Sequence, residues 1–192
     1  GSFLALFTDY YKSNEKHIIG DDDNIDFAVL KDILSKFRKI EQTLLISIIV
    51  ENKHKFPYPE LKKCVDVKNQ SLDTQRFTNL WYCKQFCPVS GKLAALYPNH
   101  AYYNEVEVGN MVIAFLKTCQ WVYKYYTSGF KSVSNTHFYP YLYTPFGESI
   151  YSILDQIYTQ SDKREARLYK LHNIGASENI EITAGHQLLS VI

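Results

Sequence analysis

Apolar residues recur every three or four positions along one long stretch of the chain: Leu30, Ile33, Leu34, Phe37, Ile40, Leu44, Leu45, Ile48 and Ile49. This is the spacing of one face of a helix, and it is held over about seven turns between residues 25 and 52. The later part, TLLISIIV, is apolar nearly all round, which predicts a central strut covered by protein on both faces. Just upstream, Asp21-Asp22-Asp23-Asn24 offers capping side chains and negative charge beside the positive end of the helix dipole.

Shorter stripes flank this element. Phe3, Leu6, Phe7, Tyr10 and Tyr11 predict a helix over 3–13. Pro57 and Pro59 punctuate the chain, and a short helix is expected over 60–67. Ser71 or Asp73 can cap the next helix, which runs to residue 86 and is stopped by Pro88. A brief helical piece is expected over 92–97. Asn104-Glu105-Val106-Glu107 is a capping box opening the second long helix, with a stripe of Val108, Met111, Val112, Phe115, Cys119, Val122 and Tyr126, and Gly129 as its stop.

Residues 130–146 read as irregular and unusually aromatic. Thr144 as cap and Pro145 at the first position then open a helix through Ile150, Ile153, Leu154 and Ile157. Ser161 starts a charged helix, DKREARLYKLH, ended by Gly175. Six to eight helices and no convincing alternating run predict an all-α fold. The expectation is a single helical-bundle domain over 1–175, with two long core helices and several short ones. Residues 176–192 differ in kind: they hold no Lys, Arg or aromatic residue, and read as an apolar tail that docks on the domain or on a partner.

Composition narrows the function more than it names it. The chain of 192 residues is 46% hydrophobic and 21% charged, which fits a globular domain and not a disordered one. Its net charge of +1, with basic and acidic residues interleaved, lacks the concentrated basic stripe of a phosphate-neutralising nucleic-acid binder. The densest apolar run, LLISIIV with Ser47 inside it, is far below the roughly 20 residues needed to span a bilayer. Gly1-Ser2 reads as a cloning remnant, so a native N-terminus further upstream is expected. Sixteen Tyr and eleven Phe point instead to surfaces with apolar rings and wet hydroxyls, the kind that meet partners.

Candidate chemistry begins with Cys83 and Cys87 in LWYCKQFCPVSGK. At i and i+4 both sulfurs lie on one helix face and could reach one ion. A structural zinc needs four ligands, and His100, Cys119 and His137 are the nearest others in sequence, each on a different element. Without a second closely spaced pair, the preferred reading is a buried helix face with no cofactor, zinc being the minor reading. The four cysteines form no dense disulfide framework, so an intracellular setting, nucleus or cytoplasm, is expected. Enzyme signatures are poor: Ser90-Gly91-Lys92 lacks the rest of a phosphate loop, and Gly147-Glu148-Ser149 lacks the second glycine of a nucleophile elbow. The basic positions Lys163, Arg164, Arg167 and Lys170 could contact an acidic partner, although a solvated face is the usual meaning of such a run.

The reading that follows is a non-enzymatic protein–protein interaction module, an adaptor or scaffold subunit. Self-association is expected through Leu34, Phe37, Leu45, Ile48 and Ile49. A groove for an amphipathic peptide of a partner is expected at Tyr126, Phe130, Phe138, Tyr139, Tyr141 and Tyr143. In outline, long paired helices supporting a dimer and a peptide groove resemble the dimerisation domains of telomere-binding proteins. The alternatives are a zinc-stabilised helical adaptor in a nuclear complex, for example at telomeres or chromatin, and an enzyme with an unrecognised site.

Overall fold

In the computed structural model, residues 3–52, 58–86, 103–160 and 162–173 are described. Helix α1 spans Phe3–Asn14 and α2 spans Phe27–Glu51. The cap of α2 is Asp26, whose Oδ1 accepts from the backbone N–H groups of Ala28 (2.8 Å) and Val29 (3.1 Å). The acidic run upstream does something other than the expected capping. Residues 20–24 form a turn bracketed by an antiparallel bridge between Ile19 and Ile25, and the turn is tied to a distant helix.

Helix α3, Pro59–Lys62, is shorter than the helix expected over 60–67. Strand β1 (Val65–Asp66) pairs antiparallel with β2 (Ser71–Leu72) to form a small hairpin. Asp66 forces the turn, because its side chain accepts from the N–H groups of Lys68 and Asn69 and from the Asn69 amide. Helix α4, Thr74–Phe86, follows, with Asp73 accepting from the Arg76 N–H at its start. Helix α5, Glu105–Ser128, carries the expected capping box, and Gly129 at φ 83° ends it where a side chain would strain the backbone. A short 3-10 turn, Phe130–Ser132, leads into the aromatic segment. Helices α6, Gly147–Thr159, and α7, Arg164–His172, close the described fold. The protein is mostly helical, with seven α-helices and one two-stranded sheet among the described residues. None of its described helices is long and apolar enough to cross a membrane.

Helix α2 spans two cores. Its N-terminal half packs with α5, α6 and α7 around Phe27, Leu34, Val112, Leu116, Leu154 and Leu171. Its C-terminal half covers a second cluster of Ile49, Leu61, Cys64, Leu72, Phe77, Leu80 and Cys83 from α3, the hairpin and α4. The expectation that the end of α2 is covered all round fails, because Ile48 and Val50 are 48% and 40% exposed. On α5 the inward stripe is Met111, Val112, Leu116 and Gln120. Val122 and Tyr126, which the spacing placed on the packed face, point outward instead. Gln120 is fully buried. It accepts from the Ile25 N–H (2.9 Å) and donates to Asn24 (2.7 Å), so a polar side chain is what locks the turn before α2 onto α5. Tyr123 and Lys124 both donate to Asp23 in the same turn. The expected helix over 92–97, the Ser161 start and the 176–192 tail lie outside the described residues.

Candidate functional site

The aromatic segment 133–146 crosses the molecule from α5 to α4 in an extended path. Trp121 Nε1 donates to the Ser134 carbonyl at 2.7 Å, and Thr118 Oγ1 lies 3.0 Å from His137 Nε2. Burial and the nearby Lys117 charge both hold the His137 pKa below its ordinary value. Further on, Gln85 of α4 accepts from the N–H groups of Leu142 and Tyr143, each at 3.0 Å, and Trp81 donates to the Thr144 carbonyl at 3.1 Å. Between 137 and 144 burial alternates residue by residue, as in a strand.

That alternation splits the residues expected to form a peptide groove. Tyr139, Tyr141 and Tyr143 turn inward and are half-buried. Tyr139 packs edge-on against Phe115 and donates to the Tyr143 carbonyl at 2.7 Å. Tyr141 meets Phe86, and Tyr143 meets Trp81 and Tyr58. A hydrogen bond to Tyr58, with burial, pushes the Tyr143 phenol up to about 12, and burial raises Tyr139 well above the ordinary tyrosine range. Phe138 and Leu142 point out, 73% and 83% exposed, and Tyr126 stands out separately near the end of α5 at 81%. The Phe130 side chain lies outside the described residues.

Where the segment reaches α6, Thr144, Pro145 and Phe146 line an apolar cleft of about 510 Å³. Its α2 wall is Leu30, Leu34, Phe37, Glu41 and Leu45, one continuous helix face about 22 Å long. Phe115, Leu116 and Cys119 of α5 stand opposite, with Trp81, Pro145, Phe146 and Ile150 closing one side. Glu41 is the one ionisable carboxylate among the described lining residues, and its role is structural. Its two oxygens accept from the backbone N–H groups of Gly147 (2.8 Å) and Glu148 (3.2 Å), capping α6 from another helix. Tyr82 completes this cap by accepting from the Phe146 N–H while bonding Ser149 Oγ. The local cap expected from Thr144 is therefore not formed, and α6 begins at Gly147. Burial raises the Glu41 pKa despite the two bonds that favour its charged form.

Gly147 is where α6 meets α2 most tightly. A Cβ there would sit 2.7 Å from Phe37 Cδ1, so only glycine brings its N–H this close to Glu41. The signal for Glu41 is visible in hindsight as a lone acid on an otherwise apolar stripe, as is Gln120 on α5.

Of the expected self-association residues, Leu34 and Ile49 are buried in the two cores, Phe37 and Leu45 are half-buried along the cleft, and Ile48 faces out. Cys83 is fully buried in the second core, whereas Cys119 flanks the first, so the fold does not bring them together. Burial pushes the Cys119 thiol up to about 11, away from thiolate chemistry. Cys87 and His100 lie outside the described residues. Among the described residues no group of three His, Cys, Asp or Glu side chains could hold a metal ion.

The class these features define is a mostly helical domain with an apolar cleft between α2 and α5 and an extended aromatic segment. No protein-family model, no curated protein and no solved structure matches the chain.

Proposed function

We propose that this domain is a non-enzymatic protein–protein interaction module whose cleft receives the apolar face of an amphipathic segment from a partner protein. The observation that carries this reading is the cleft's lining: aliphatic and aromatic side chains along one 16-residue helix face, Leu30 to Leu45, with its single carboxylate already used as a helix cap. A helical ligand presents side chains at i, i+4 and i+7 on the same length scale as Leu30, Leu34 and Phe37. Phe138 and Leu142, exposed on the outer face of the aromatic segment, are further apolar surface that a partner can cover.

Trp81 lines this cleft and Trp121 does not, which supplies a local probe. In a Trp121→Phe background, titrating amphipathic helical peptides of varied apolar face should give a saturable change in Trp81 emission. Cys119→Phe, which fills the cleft, should abolish it. If no peptide perturbs Trp81, or the filled variant binds equally well, the reading is wrong. Self-association is proposed through the exposed end of α2, at Ile48 and Val50. Native mass spectrometry tests it, because Ile48→Glu should leave a folded monomer where the parent chain is a dimer.

A further inference from the structure

A second, smaller pocket of about 320 Å³ lies between α5, α6 and α7, away from the aromatic cleft. Its floor is aliphatic, from Ile113, Ile153 and Ile157. Its rim carries three cations, Lys117 from α5 and Arg167 and Lys170 from α7, and no carboxylate among the described lining residues. The four ion pairs of the described fold use other groups: Lys31–Asp155, Arg38–Glu148, Lys84–Glu60 and Lys124–Asp23. A solvated basic helix face would scatter its charges over α7. Here two helices converge theirs on an apolar floor, which fits a ligand alternating acidic and aliphatic groups. No aromatic ring is among the described lining residues, which argues against a stacked base.

We infer that this pocket docks residues 178–182 of the same chain, Glu178-Asn179-Ile180-Glu181-Ile182, with the two carboxylates on the Lys117, Arg167 and Lys170 rim and the isoleucines on the aliphatic floor. The composition matches, since residues 174–192 hold no Lys or Arg. So does the tether. Lys170 and Leu171 line the pocket and the described chain ends at Asn173. Nine further residues to Ile182 span at most about 30 Å, which is ample to return to a pocket that begins within one turn of α7. A short tether supplies a millimolar effective concentration, so a segment with a free affinity of about 0.1 mM is docked about 90% of the time. The inference is independent of the aromatic cleft and of any partner bound there.

Hydrogen exchange on the full chain tests it. Amides of residues 178–184 should exchange about tenfold more slowly than in Glu178→Lys/Glu181→Lys, a variant that alters no residue of the described fold. Lys117→Glu/Arg167→Glu should lose the same protection, and combining both pairs should restore part of it. Ile182→Asp reads the apolar contribution separately and should also speed exchange. Exchange at the unstructured-peptide rate in the parent chain would overturn the inference, as would protection that survives both charge reversals. Protection that rises with protein concentration, and does so equally in Ile48→Glu, would place the segment on a second copy and would equally overturn the intramolecular assignment.

Discussion

Replacing Glu41 by alanine removes the cap of α6 without touching α6 itself. The Gly147 N–H is buried and would be left without a partner, whereas the Glu148 N–H is exposed and can turn to water. A hydrogen bond to a charged acceptor contributes about 1.5–3 kcal/mol, and an orphaned buried donor costs a similar amount. The 2.8 Å bond to Gly147 therefore accounts for most of the effect and the 3.2 Å bond to Glu148 for a few tenths. The burial cost that raises the Glu41 pKa offsets part of this, so the expected loss is about 2 kcal/mol. With a urea m-value of about 2 kcal/mol/M, the midpoint should fall by about 1 M. Thr144→Ala, at the position local sequence rules would choose as the cap, should shift the midpoint by less than about 0.25 M. The pH dependence has a definite sign. Burial makes the folded state hold the Glu41 proton more tightly than the unfolded chain does. The contribution to stability therefore falls as pH rises from the ordinary value of 4.5 through the raised folded pKa. Glu41→Gln, which cannot titrate, should thus lie further below the parent at pH 4 than at pH 7. Equal midpoints for Glu41→Ala and Thr144→Ala would refute the tertiary cap. A gap that widens towards pH 7 would show that the bonds outweigh burial.

Gln120→Ala should cost about 2–3 kcal/mol by chemical denaturation, since it strands the buried Ile25 N–H; a loss under about 0.5 kcal/mol would mean the turn before α2 does not depend on α5. Tyrosine titration followed by phenolate absorbance should show a late phase in the native protein, with Tyr143 and Tyr158 ionising at about 12, above the ordinary tyrosine value of 10. Because the unfolded chain releases those protons near 10, stability should fall as pH rises from 10 to 12, and a single native step near 10 would contradict the packing of both rings.

The sequence alone located the long helices α2 and α5, because periodicity and local caps are properties of a few consecutive residues. The heptad-like run of α2, the Asn104–Glu107 box and the Gly129 stop each appear in the fold as the pattern predicts. The hairpin at 65–72 escaped because two-residue strands are too short to alternate, and its Asp66 turn resembles an ordinary polar loop. Which side of each helix faces the core was less legible. On α5 a polar Gln120 lies inward and Val122 outward, since the inward face is set by what α2 and its preceding turn present to it.

The candidate site was legible only as composition. An aromatic run announces a surface, yet the strand-like path that sends Tyr139, Tyr141 and Tyr143 in and Phe138 and Leu142 out is fixed by Gln85, Trp81 and Trp121 on helices far away in sequence. The cleft lies between α2 and α5, and Trp81 and Phe146 from other elements close one side of it. Its floor is closed where Gly147 lets α6 approach Phe37 and Glu41. The basic pocket likewise needs Lys117 and Arg167, fifty residues apart, to meet over one apolar floor. Local chemistry writes the elements; close approach between distant residues, which no short window of sequence contains, decides where they leave space and what lines it.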